Sequence, residues 1–90
     1  MSNETLDALR ALRDLARELR IRCDAITMAV DSISSACDTA MQLDDADAVS
    51  DILIDRVQPS STTASDEAEA LRRETRMLDM RLEDVWLVLD

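Results

Sequence analysis

The sequence predicts an all-α fold, in which a long N-terminal heptad helix packs antiparallel against two shorter helices. The form is a helical hairpin or a three-helix, coiled-coil-like bundle. Three observations predict it. The 90 residues contain no Gly and one Pro, so tight hairpins between strands lack their usual turn residues. Apolar residues recur at alternating steps of three and four, the helical period. About 47% of residues are apolar and 33% charged, a balance that supports one small core.

The first helix is expected over about residues 3–43. Its stripe is Leu9, Leu12, Ala16, Leu19, Cys23, Ile26, Val30, Ile33, Cys37 and Ala40, an unbroken a/d heptad pattern. Ser2 or Asn3 can cap its start, and Glu4 and Asp7 suit the positive end of the helix dipole. The stripe then fails, because its next positions (44, 47 and 51) are all Asp. Ala46, Val49, Leu53 and Val57 resume on another phase, which predicts a turn or kink around Leu43–Ala46. A second helix is expected over about 45–57, capped by Asp44 or Asp45. A single bent helix through this point is the alternative.

Residues 58–65, Gln-Pro-Ser-Ser-Thr-Thr-Ala-Ser, read as a loop. Ser65 can cap a third helix over about 66–89, with Asp66, Glu67 and Glu69 in its first turn. The stripe of that helix is Ala68, Leu71, Thr75, Leu78, Leu82, Val85 and Leu89. The whole chain is read as one helical domain, 1–90.

Composition also narrows function. Glycine-based nucleotide loops are impossible without Gly. Two Cys and no His leave the usual zinc sites without ligands. General acid–base chemistry would have only carboxylates to draw on, so no enzyme, cofactor or metal is expected. Asp44-Asp45-Ala46-Asp47 lacks the Gly and closing Glu of a calcium loop. The Met-Ser-Asn-Glu-Thr start has neither a basic nor an apolar leader pattern, so a cytoplasmic protein with reduced thiols is expected, and no membrane association. Arg supplies every positive charge and Asp outnumbers Glu 14 to 6. A GC-rich genome or adaptation to high salt would each produce this.

Charge is laid out unevenly. Residues 1–23 hold five Arg and four acids, and residues 70–90 hold four Arg and five acids. Residues 24–69 hold one Arg and eleven acids, so the whole formal charge of −10 sits in the middle. Asp24, Asp31, Asp38 and Asp45 recur every seven residues, and Asp44, Asp47, Asp51 and Asp55 can line one helix face. Like charges at helical spacing cost stability, so the fold gains nothing obvious from them. They serve as a solvated face or as a docking surface for a basic partner. No direct nucleic-acid site is read from a net-acidic chain.

Trp86 lies in Val85-Trp86-Leu87-Val88-Leu89, which is apolar all round a helix, and it is the second candidate contact. Cys23 and Cys37 share one heptad position, about 21 Å apart along the helix. They are read as small core residues or as contacts across a homodimer seam. The leading expectation is a non-catalytic module that docks its acidic middle and Trp86 on a basic protein, such as a nucleic-acid-binding one. DNA mimics and anti-CRISPR inhibitors carried by phages offer an analogy of charge and helix content alone. The alternative is a self-associating coiled-coil protein or a small helical secretion chaperone.

Overall fold

The computed structural model describes residues 1–89. The chain is an all-α helical hairpin, 67 × 17 × 13 Å in extent. Helix α1 spans Asn3–Ala40, α2 Ala46–Ile52 and α3 Gln58–Val88, and a π-helical turn, Leu53–Val57, joins α2 to α3. The return arm is therefore one 43-residue helix interrupted only by that π turn. No helix among the described residues is long and apolar enough to cross a membrane.

Ser2 caps α1, its hydroxyl accepting the Thr5 N–H at 3.1 Å. The helix stops at Ala40, three residues short of the expected end. Met41, Gln42 and Leu43 then donate back to the carbonyls of Cys37, Thr39 and Ala40. This winds the chain down through a turn with no positive φ. Asp45 caps α2 by accepting the Asp47 N–H at 3.0 Å. The phase slip read at 43–46 is thus a true turn between separate helices, and the single bent helix is excluded.

The expected loop at 58–65 is wrong, because these residues are helical. Two features accommodate the breakers. Thr62 donates to the Gln58 carbonyl at 3.1 Å, so its hydroxyl is satisfied within the helix at the cost of only a slight bend. Pro59 follows directly on the π turn, where Gln58 N–H reaches back to Leu53 O. That wider turn relieves the clash between the proline ring and the carbonyl four residues earlier. The long α1 alongside lends packing to a segment of poor intrinsic propensity.

The π turn also sets phase. The inward stripe of the return arm runs 49, 52, 57, 60, 64, 67, 71, 74, 78, 81, 85 and 88, with Ala48, Ala68 and the buried Ala70 covered beside it. Every step is three or four except 52 to 57, where the π turn absorbs one extra residue. Without it Arg56, not Val57, would face α1.

The seam of α1 is shifted by half a heptad from the expected one. Its covered row is Thr5, Ala8, Leu12, Leu15, Leu19, Arg22, Ile26, Ala29, Ile33, Ala36 and Ala40. Leu12, Leu19, Ile26, Ile33 and Ala40 were placed correctly. Their expected partners Leu9, Ala16, Cys23 and Val30 are exposed, and Cys37 is half-buried. The return arm repeats the error: Leu71, Leu78 and Val85 face the seam, but Thr75, Leu82 and Leu89 are exposed and only Ala68 is half-covered. The true seam takes Glu67, Glu74, Arg81 and Val88 in their place.

Two polar links hold the register. Thr5 is fully buried, and its hydroxyl donates to the Val88 carbonyl at 2.6 Å. Arg22 forks onto Glu74, Nε to Oε2 at 2.8 Å and Nη2 to Oε1 at 2.7 Å. Its Nη1 reaches Glu67 at 3.0 Å, and Glu18 lies 3.7 Å away. Hydrogen bonds from Arg22 hold the Glu74 carboxyl below its ordinary value of 4.5, against the opposing effect of burial. The same bonds to Glu74 and then Glu67 raise Arg22, which stays charged throughout.

Arg22→Met should lower the thermal midpoint, because Glu67 and Glu74 then lose their partner at the seam. The triple variant R22M/E67Q/E74M should recover most of that loss; calorimetry of both checks this. Glu74 is lower in the folded than in the unfolded chain, so its contribution is complete above pH 4.5 and is lost as pH falls through the folded value. The stability gap between wild type and Glu74→Gln should therefore close on acidification, as followed by helical circular dichroism. Removing Ile54 together with Pro59→Ala should leave a regular α-helix with its inward stripe intact. The thermal midpoint should then be equal or higher.

Candidate interaction site

The hairpin has two ends of different chemistry. The turn end comprises the last turns of α1, residues 41–45, α2 and the π turn. The free end brings the start of α1 beside the end of α3. Nine of the ten Arg lie in 1–23 and 70–90, toward the free end.

All eight Asp singled out from the sequence are exposed. Asp44 and Asp45 sit in the turn, Asp47 and Asp51 on α2, and Asp55 in the π turn. Asp38 lies in the last turn of α1, while Asp31 and Asp24 are one and two heptads back along its shaft. Among the described residues none of the eight forms an ion pair; the chain's ion pairs use other acids. Asp45 also has a structural task as the cap of α2. The structure therefore brings six of the eight acids to one end and leaves two on the shaft.

Trp86 is not part of that end. It lies in the last turn of α3, near the opposite pole of the rod, and is 66% exposed beside exposed Leu87 and Leu89. The two candidate features cannot form one patch on a single chain. Among the described residues no group of three or more His, Cys, Asp or Glu is arranged to hold a metal ion.

The half-heptad shift leaves outside a row that the sequence reading placed in the seam, with Cys23 and Cys37 read as core residues or as homodimer contacts. In α1 it is Leu9, Ala16, Cys23, Val30 and Cys37, with Val30 51% exposed. In α3 it is Ala68, Thr75, Leu82 and Leu89. One side of the hairpin carries a shallow groove lined by Ala11, Glu18 and Met77. In an antiparallel pair the rows flanking the seam match like with like. The two omitted rows therefore run together along the opposite side. The only sequence signal for this was the rival stripe through Arg22, whose charge argued against it.

Comparison with protein-family models, with curated proteins and with solved structures finds no match at the level of a relationship.

Proposed function

We propose that the chain is a non-catalytic interaction module that docks its acidic turn end on a basic protein surface. The observation that carries the reading is the segregation of charge along the rod. The segment that forms the turn end and adjoining shaft holds all the excess acid, and nine Arg are kept toward the other pole. Six exposed, unpaired carboxylates concentrated at the tip of a narrow rod would fit a groove that otherwise receives phosphates. A nucleic-acid-binding protein is therefore the partner class this surface suits, and occupation of its groove would inhibit it. Fixed negative charge at a narrow tip also speeds encounter with such a surface at low salt.

The test uses immobilised protein and the heparin-binding fraction of a nuclease-treated lysate. Wild type should retain a basic protein that elutes at a few tenths molar salt, where surface charges are largely screened. Replacing Asp44, Asp47 and Asp51 together by Asn should abolish retention, while circular dichroism stays unchanged. Equal retention by the two proteins at low salt overturns the reading.

A further inference from the structure

We infer that the chain forms a symmetric homodimer through the side of the hairpin that carries the omitted heptad row, with the two turn ends pointing in opposite directions and Cys23 at the two-fold axis. This inference stands apart from the docking role above, since it uses another surface.

The argument begins with the row the fold does not use. Leu9, Ala16, Cys23, Val30 and Cys37 keep perfect heptad spacing yet face solvent or the edge of the seam. A two-helix hairpin can cover only one stripe of each helix, and this one fully covers few large side chains. A second layer is the ordinary way for such a hairpin to cover the next stripe, as in a four-helix bundle.

Charge selects the occupant and its orientation. Two hairpins stacked face to face can be related by a two-fold axis in only two ways. An axis along the rod puts α1 over the partner's α3, with both turn ends together. That stacks one segment of −10 on another. An axis across the rod separates the turn ends, and it places α1 antiparallel on α1. The edge of α1 beside the omitted row is built for this second arrangement. Arg10, Arg13, Arg17 and Arg20 occupy its first half, and Asp24, Asp31 and Asp38 its second. Reversal about Cys23 brings each half against its opposite. Arg13 comes within two residues, about 3 Å along the axis, of the level of Asp31 of the second copy, and Arg20 equally near Asp24. Among the described residues Arg17 and Arg20 make no ion pair, while Arg10 and Arg13 make only exposed contacts with Asp7 and Asp14.

The rows themselves are self-complementary about the same level. Reversal pairs Leu9 with Cys37, Ala16 with Val30, and Cys23 with itself. Small residues, Cys23 at the centre and Ala16 next to it, allow close approach, while Leu9 lies farther out. The opposite side of the hairpin lacks this pattern. It exposes large apolar side chains, Ile21, Met28, Met77, Met80 and Leu87, but the acids of α1 there, Asp7, Asp14 and Glu18, already face Arg10, Arg13 and Arg22 of the same chain, so no opposed halves of charge are left for a second copy. A side 67 Å long and 17 Å wide also exceeds the roughly 800 Å² per partner of a standard interface.

The geometry is tested by thiol crosslinking of the reduced full chain with a short bismaleimide. The Cys37→Ser variant, which keeps Cys23, should give a covalent dimer. The Cys23→Ser variant should give none, because reversal sets the two Cys37 about 40 Å apart. Crosslinking through Cys37, or through neither thiol, overturns the arrangement. Sedimentation equilibrium tests the surface. Val30→Asp should weaken the dimer at least about thirtyfold, as for a charge placed in a desolvated interface centre. Met28→Asp, on the other side, should not. Val30 and Met28 are both exposed, so neither change should unfold the hairpin, and circular dichroism checks this. A wild-type monomer at high concentration, or the reverse order of the two variants, overturns the inference. Asn at 44, 47 and 51 should leave the dimer intact, which separates this result from the failure of the docking role.

Discussion

One arginine organises the hairpin. Arg22 lies near the middle of α1, and its fork reaches two carboxylates one heptad apart on α3. An apolar seam of alternating three and four steps is repetitive, so a slide of one heptad would still bury apolar residues. It would not keep the Arg22 fork, which needs Glu67 and Glu74 on either side of its own level. The ion pair is therefore better understood as a device for register than as a source of stability. The Thr5–Val88 bond repeats the specification at the free end.

That same device is why the sequence misled at one level while informing at another. Helix content, the antiparallel return and the turn near Leu43–Ala46 follow from periodicity and from the failure of the stripe at Asp44. Five seam positions of α1 were also legible. The other half of the seam was not, because two rows flank Leu12, Leu19, Ile26 and Ile33. The rival row is apolar throughout, whereas the true one contains Arg22. Only its partners across the seam make Arg22 an inward residue, and pairing between distant segments does not show in the spacing of either. The loop expected at 58–65 failed for a related reason. Pro59, Ser60 and Thr62 are breakers by local preference, but α1 lies alongside them and the π turn absorbs the proline. The acidic end was legible as charge, whereas its separation from Trp86 by nearly the length of the rod was not.

The fold also separates paired charge from unpaired charge. Among the described residues the seam charges form ion pairs, and the carboxylates of the turn end form none. The apolar positions divide likewise. One row is spent within the chain, and the row beside it keeps the same period while facing solvent. A protein this thin has no deep interior, so its information lies in which stripe faces which neighbour.

The five-residue turn has a consequence for how the chain reaches this state. Pairs next to the turn are close in sequence, and the pairs grow steadily more distant toward the free end, where Thr5 and Val88 are 83 residues apart. Loop-closure entropy makes the near pairs the cheapest to form first, so the hairpin should zip from the turn outward. The chain must then start where its negative charge is densest. Repulsion acts on the earliest step, before the Arg-bearing ends arrive. Dissolved salt should therefore speed folding, even as it weakens the encounter of the finished tip with any basic surface.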